Sequence, residues 1–241
     1  MTNRIPRSPA PVVVAGDDSP WGEAALRWAS EHARSTGAPL EVCPPSPDFL
    51  HDLMTAGCRA GLLVVGHRGA HSTAFALGRV VVPLVEHAPC DVVVVRGTGE
   101  ALRRDHHRVT ALLSGDESDD DLALSRAADH ARQQHASLRV LHATPPLPVR
   151  ADEPRWPVIH ADEVLRDVRH TSVLVRMHPH EAIARYADTD LLIVAGRGPT
   201  TRAALHHAPC PVLVAHRSPA DVVPGPRAPH AAEVRRTFSA W

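Results

Sequence analysis

Lysine is absent from this 241-residue chain, so every fixed positive side chain is an arginine. Without lysine the chain can have neither a P-loop of the G-x-x-x-x-G-K-[ST] type nor a Schiff-base lysine. The net charge is also close to zero, at −1 with histidine neutral. A chain without an overall positive field has no general attraction to nucleic acid or to an anionic membrane, so we expect it to bind neither.

Long apolar runs are lacking as well. No run approaches the roughly 18 residues that are needed to cross a bilayer. The segment 1–11 has no apolar stretch of the kind found in a signal peptide, so we expect a cytoplasmic protein. Hydrophobic residues make up 44% of the chain, which is enough for a packed core in one large domain or in two small ones.

The cysteines and histidines show no metal-binding spacing. The four cysteines include no C-x-x-C pair, and the 18 histidines form no H-E-x-x-H motif. Cys90 and Cys210 each precede an apolar run, which favours buried structural thiols. His106-His107 and His206-His207 are adjacent pairs and not ligand pairs one helical turn apart. We therefore expect surface histidines and no metal site.

One tetrapeptide, His-Ala-Pro-Cys, occurs twice, at 87–90 and at 207–210. The segments before it repeat too: each copy has a strand that runs into an acidic turn, then a helical pattern, then an unbroken apolar run. Such runs are typical of central parallel strands that are buried on both faces. The sequence therefore predicts an α/β protein with two consecutive doubly wound sheet units.

The repeat gives boundaries for the two units. Glycine-acidic turns mark the start of each copy, where Gly16-Asp17-Asp18-Ser19 aligns with Gly115-Asp116-Glu117-Ser118. Proline-rich stretches separate the later segments and open the C-terminal part. We assign residues 11–99 to a first, shortened domain, residues 108–217 to a second domain and residues 218–241 to a disordered tail.

In this order the segments resemble the universal stress protein family in its tandem form. The resemblance rests on VVVAGDDSPWGEAALRWASEHARSTGAPLEV, LLVVGHRGAHSTAFALG and HAPCDVVVV, and it covers most of 11–96 and, more loosely, 108–217. It implies five-stranded α/β units like those of the adenine nucleotide alpha hydrolase superfamily, which often bind ATP and dimerise through their last strand. We therefore expect the strands at 92–95 and 212–215 to lie together, so that one chain forms an internal pseudo-dimer.

The resemblance also implies a nucleotide site in the first domain. The family signature is Gly, two residues, Gly, nine residues, then Gly-Ser or Gly-Thr, in which backbone N–H groups and a helix start meet the phosphates. Here only eight residues separate the second glycine from the third, and an arginine replaces the hydroxyl residue. An aspartate stands at the position that faces the ribose. The implied contact residues are Asp17, Gly66, Arg68, Gly69, Gly78, Arg79 and Val80.

Both copies depart from the family in other ways. Pro44 and Pro45 stand where the first copy should present backbone groups to the base, and proline has no N–H. The segment 43–60 is also too short for a second helix and third strand, so we expect a strand to be missing there. The second copy keeps its base side at 140–143 and a third strand, but it lacks the phosphate loop before its HAPC. We therefore expect weak ATP binding, or none, and only in the first domain.

Structural roles for the same residues stay open. Gly66 and Gly69 can serve only as a strand-to-helix turn, and Asp17 and Asp116 can cap helices instead of meeting a ligand. Packing in the core is the simpler interpretation of Trp28. Exposure in a turn is the simpler interpretation of Arg68 and Arg197.

Taken together, these patterns favour a stress-response regulatory or interaction module with an unknown protein partner and no catalytic residues. A scaffold that binds no nucleotide is the alternative. An adenylating enzyme of a related fold is a third hypothesis, suggested by SGDES at 114–118. The missing lysine and the missing second glycine of that loop argue against it.

Overall fold

The computed structural model describes residues 9–68, 79–144 and 156–217. Strands and helices alternate through these ranges. In chain order they are β1 (Val12–Ala15), α1 (Pro20–Thr36), β2 (Leu40–Cys43), α2 (Phe49–Gly57), β3 (Leu62–Gly66), α3 (Val81–His87), β4 (Asp91–Val95), α4 (Gly99–Arg103), β5 (Arg108–Leu113), α5 (Glu117–Gln134), β6 (Ser137–Thr144), α6 (Trp156–Val164), β7 (His170–Arg176), α7 (Pro179–Arg185), β8 (Leu191–Ala195), α8 (Pro199–His207) and β9 (Val212–Ala215).

The strands form one mixed sheet in the order β2-β1-β3-β4-β9-β8-β5-β6-β7. Pairing is parallel within each half, whereas β4 and β9 pair antiparallel, with Val92 opposite Val214 and Val94 opposite Val212. The predicted α/β fold and the predicted pairing of the two final strands are confirmed. The boundaries 11–99 and 108–217 stay predictions, and the tail at 218–241 lies outside the described residues.

Helices cover both faces of the sheet and enclose two apolar cores. Successive strand residues point to opposite faces, so Val12 and Val14 belong to the core that also contains residues of α1, α5 and α6, whereas Val13 and Ala15 belong to the core that contains residues of α2, α3, α7 and α8. The strands β3, β4, β8 and β9 are buried almost throughout. This double burial explains why their sequences are apolar without alternation.

The first half of the sheet is one strand shorter than the second. Residues before α4 contribute β1 to β4, and those after it contribute β5 to β9. In the described part of the chain only α2 lies between β2 and β3, so the expected missing strand is confirmed. As a result β2 is the last strand on its side, whereas its counterpart β6 is covered by β7.

Caps define both ends of the long helix of each half. Ser19 caps α1, where its Oγ accepts from the Gly22 N–H at 3.0 Å, and Gly37 ends the helix at φ 67°. In α5 the cap is Asp116. The structural counterpart of Asp116 is therefore Ser19, and the predicted alignment of Asp17 with Asp116 is wrong, because Asp17 stands two residues before the cap of its helix whereas Asp116 is itself the cap.

The predicted structural roles of three buried side chains are confirmed. Trp28 is 3% exposed within the core that contains α1 and α5. Cys90 and Cys210 are also buried, and burial raises the pKa of both thiols to about 12. A thiol with so high a pKa is a poor nucleophile.

Four histidines contradict the expectation of surface positions: His32, His67, His130 and His142 are buried. His32 of α1 stacks on His130 of α5 at 5.2 Å between ring centroids, where the two halves meet. Burial first, and the charge of Arg104 second, lower the pKa of His32 to about 4. Burial and the neighbouring His32, Arg104 and Arg126 lower that of His130 to about 3. Both rings are therefore neutral near pH 7.

None of the helices in the described ranges is both long and apolar enough to cross a membrane.

Acid is expected to destabilise the chain through this histidine pair. An unfolded histidine titrates near 6.5, so between pH 6.5 and about 4 the unfolded state binds protons that the folded state excludes. The stability is fully present above pH 6.5 and is lost as the pH falls. At pH 5 each ring costs about 2 kcal/mol relative to pH 7. His130→Phe keeps a ring but removes one titration, so its loss between pH 7 and pH 5 should be about 2 kcal/mol smaller.

Urea unfolding at both pH values measures this difference. The exposed His51 supplies the control, because His51→Phe changes the same side chain outside the interface. Equal pH dependence in His130→Phe and the wild-type chain would contradict the role of the pair.

Candidate functional site

The candidate site lies where β1 and β3 end side by side. These strands are parallel neighbours, so their carboxyl ends meet at one edge of the sheet. Asp17 follows β1, Gly66 is the last residue of β3, and Arg68 comes two residues later. Open α/β sheets bind ligands at this edge, beyond the carboxyl ends of the strands.

Ser19 connects the two sides of this edge. The Ser19 N–H donates to Asp17 Oδ1 at 3.0 Å, and the Ser19 Oγ lies within hydrogen-bond distance of Asp17 Oδ1 and of the Arg68 carbonyl oxygen, at 3.3 Å from the latter. The half-buried Asp17 carboxylate therefore holds the turn before α1. Its contact with a ribose stays a prediction.

Gly66 is required by the close approach of α1. A Cβ at Gly66 would lie 2.8 Å from the backbone carbonyl of Trp21, and the Trp21 ring packs edge-on against His67 at 4.3 Å between centroids. The corresponding residue of the second half is Ala195 in LLIVA, against LLVVG in the first. The close approach of α1 is thus sufficient to explain the glycine, and its predicted role in a strand-to-helix turn stays a prediction.

Positive charge gathers beside this turn. Burial first, and the charge of the nearby Arg68 among the further causes, lower the pKa of Arg96. Burial, followed by the charges of Arg96 and Arg68, lowers the pKa of His67 to about 4. Arg96 donates to the carbonyl oxygen of His206 at 3.0 Å and to that of Leu205, at the C-terminal end of α8. Among the described residues, Arg68 Nε is buried without a hydrogen-bond partner. This cluster favours an anion.

Sequence reasoning missed His67 and Arg96. Their signal was positional, since His67 follows β3 directly and Arg96 follows β4 directly at the same edge of the sheet. The contact of Arg96 with α8 could not be read from the sequence, because it joins residues of the two halves.

The rest of the predicted contact set is not joined to this cluster. Arg79 is exposed and Val80 precedes α3, and within the described ranges no hydrogen bond or ion pair connects either of them with Asp17 or Arg68. Gly69 and Gly78 lie outside the described residues. The structure thus brings together Asp17, Gly66 and Arg68.

At the end of β2, where the resemblance implies that an adenine base would lie, few backbone groups are free to form hydrogen bonds. The Cys43 carbonyl oxygen at the end of β2 already accepts from the Gly16 N–H at 2.9 Å, and Pro44 follows without an N–H of its own. A cleft of about 230 Å3 lies beside this strand end, between β2 and α2. Glu41, Asp52 and Arg59 line it, and Arg59 is already paired with Glu41 at 2.9 Å, so the net negative charge of this lining does not favour a phosphate.

In the second half the corresponding turn is closed by carboxylates. The buried Asp120 accepts from the N–H groups of Ser114 at 2.7 Å and Gly115 at 3.1 Å. Asp116 accepts from those of Ser118 and Asp119, both at 3.1 Å. These amides are therefore not available to a phosphate, and the SGDES segment forms a helix cap in place of an open pyrophosphate loop.

A polar cleft of about 310 Å3 remains at the carboxyl ends of β8 and β9. Arg197 and Arg217 line it together with Asp119 and the half-buried His216. Only residues 196–198 connect β8 to α8, so the expected absence of a long loop is confirmed. Elsewhere in the described ranges, no group of three or more His, Cys, Asp or Glu side chains is arranged to hold a metal ion.

An α/β sheet formed by two consecutive copies that pair antiparallel through their final strands defines a tandem, internally dimeric class of protein. Comparison with solved structures identifies the fold. A universal stress protein from Archaeoglobus fulgidus DSM 4304 superposes with a TM-score of 0.67 over 88% of this chain and 98% of that one, at 15% sequence identity. The chain therefore has the universal stress protein fold.

Shorter universal stress proteins match about half of the chain. One in complex with cAMP covers 46% of this chain and 97% of its own length, at 20% identity and a TM-score of 0.38. One from Archaeoglobus fulgidus in complex with dAMP covers 45% and 97%, at 17% identity and a TM-score of 0.35. No protein-family model matches the sequence, and no curated protein matches it either.

Gly66→Ala is expected to lower the free energy of unfolding by about 1–3 kcal/mol, because the new methyl group would press on the Trp21 backbone and not on a movable side chain. Gly99→Ala is the control, since a Cβ there meets only the flexible end of Arg103. It should change stability by less than about 0.5 kcal/mol. Urea unfolding measures both, and equal effects would show that α1 does not need the glycine.

Proposed function

We propose that this chain is a tandem, UspA-like universal stress protein that acts in the cytoplasm as a regulatory or interaction module of the stress response. Its adenine-nucleotide binding is weak or lost, and it catalyses no reaction. One observation carries this proposal: in each half, a carboxylate of the chain itself accepts hydrogen bonds in the strand-to-helix turn that would meet a nucleotide. The fold of the universal stress proteins supports it.

The first half is the one that we expect to bind a nucleotide weakly. Its turn carries Asp17 and Asp18, but Asp17 accepts from only one turn amide, that of Ser19, whereas Asp116 and Asp120 of the second half accept from four. Arg68 has a buried, unpaired Nε within the described part of the chain, and Arg96 adds positive charge beside it. An arginine can donate several hydrogen bonds to phosphate oxygens. The phosphates of ATP would therefore lie against Gly66 and Arg68.

The expected affinity for ATP is low because hydrogen bonds are lost on both the base side and the phosphate side of the site. Pro45 removes a backbone donor from the base side, and Arg79 replaces a short hydroxyl on the phosphate side. Each lost hydrogen bond to a charged or buried group costs about 1.5–3 kcal/mol. Two such losses turn a micromolar site into one near millimolar, so we expect a Kd for ATP of roughly 0.1 mM or weaker.

Calorimetric titration of the full chain with ATP, ADP and AMP tests the proposal. We expect weak binding without release of phosphate over hours. Sub-micromolar binding, or purification with ATP already bound, would contradict the weak site, and phosphate release would contradict the absence of catalysis. No heat at millimolar ATP would favour the alternative of a scaffold that binds no nucleotide.

Matched arginine variants locate any site that is found. Arg68→Ala should weaken ATP binding at least tenfold, because the arginine beside the phosphates is lost. Arg197 occupies the same position in the second half, so Arg197→Ala is the control. Arg197→Ala and Asp116→Ala should each leave the affinity within about threefold, which is under roughly 0.7 kcal/mol. A tenfold loss from either would place the nucleotide in the second half.

A further inference from the structure

Equivalent residues of the two halves differ sharply in exposure. The segment Glu31-His32-Ala33-Arg34 of α1 corresponds to Asp129-His130-Ala131-Arg132 of α5. On this alignment Leu26, Leu40 and Val42 of the first half correspond to Leu124, Leu138 and Val140. The first three are 41%, 36% and 53% exposed, whereas their counterparts are 0%, 3% and 1% exposed. The first half therefore keeps an apolar surface that the second half buries.

The cause is the missing strand and helix of the first half. In the second half β7 pairs along β6, and α6 packs on α5, so Leu124, Leu138 and Val140 share a core with Ala161. Within the described residues, β2 pairs only with β1. Its outer edge thus presents unpaired backbone N–H and C=O groups next to exposed apolar side chains, which is a template for another strand.

We propose that this edge is a self-association surface, on which β2 of one chain pairs antiparallel with β2 of a second copy about a twofold axis. Backbone hydrogen bonds between the two edges would satisfy groups that β7 satisfies in the second half. Leu26, Leu40 and Val42 of one copy would pack against the same residues of the other. Such an isologous contact closes on itself and yields a dimer.

Charge complementarity favours a second copy as the occupant. On the opposite face of β2, Glu41 lies 2.9 Å from Arg59, and both side chains are well exposed, at 42% and 64%. A twofold axis at β2 brings a Glu41 and an Arg59 from each copy to one place, so each charge can meet its opposite on the other chain. A surface with one charge of each sign beside apolar residues is complementary to itself.

The same arrangement already operates inside the chain. The two halves join through antiparallel pairing of equivalent strands, β4 with β9, over the short register from Val92 to Val94. The β2 edge is also short, because Pro39 and Pro44 flank its four residues and donate no N–H. Four strand residues with three apolar side chains provide less than the roughly 800 Å2 per partner of a standard stable interface. We therefore expect a dimer in the micromolar range.

Sedimentation velocity of the full chain over about 1–200 μM tests this surface. The wild-type chain should change from monomer to dimer as its concentration rises. Val42→Asp should raise the dimer Kd at least tenfold, and the milder Val42→Thr should raise it less. Leu174 is the matched control: it is 45% exposed on β7, the other edge strand, so Leu174→Asp should leave the Kd unchanged. Far-ultraviolet circular dichroism checks that each variant is folded.

A charge swap gives an independent readout. Arg59→Glu should weaken the dimer, because two like charges then face each other across the axis, and the double variant Glu41→Arg with Arg59→Glu should restore it. A monomer at every concentration would overturn the proposal. So would a dimer that Leu174→Asp disrupts and Val42→Asp does not, or one that the charge swap fails to restore.

Discussion

The antiparallel pairing of β4 with β9 is the contact on which the rest of the structure depends. It joins two parallel half-sheets into one sheet, so that Val92 to Val95 are buried on both faces. At the start of β4, Asp91 extends the contact: its carboxylate accepts from Arg126 Nε at 2.7 Å and from the His216 N–H at 2.8 Å. Burial raises the pKa of Asp91, although Arg126 opposes the effect. Asp91 therefore links the start of β4 to α5 through an ion pair and to the end of β9 through a backbone N–H.

Because the halves share a sheet, they need not be equal. The first half has one strand and one helix fewer than the second, yet its core stays closed, since β4 pairs with β9 of the second half and β3 lies between β1 and β4, away from an edge. The loss falls on β2, where Leu40 and Val42 became exposed. In a separate small domain the same loss would remove a larger share of the buried apolar area. Tandem fusion thus explains how a shortened copy remains folded.

The elements that the sequence predicted are those with local signals. The runs in β3, β4, β8 and β9 are apolar without alternation, and a repeated tetrapeptide relates the final two strands. Ser19 as the cap of α1, the stacking of His32 on His130, and the reach of Arg96 to α8 were not predicted. Each depends on the residue at which a helix begins or on a contact between distant residues. No pattern in one segment specifies such contacts.

In the candidate site, too, features with a local sequence signal were predicted and contacts that depend on the folded chain were not. The glycines and Asp17 were visible because they belong to a spaced motif, but the use of the turn amides was not, since it depends on where Asp120 folds back. A carboxylate that accepts these N–H groups stabilises the turn and also places negative charge where a phosphate would lie. A nucleotide could displace Asp120 only by leaving that carboxylate buried and unpaired, which costs several kcal/mol. The carboxylates that accept from these amides therefore stabilise the helix and weaken nucleotide binding at the same turn. Surfaces outside the turn are then more accessible to a protein partner.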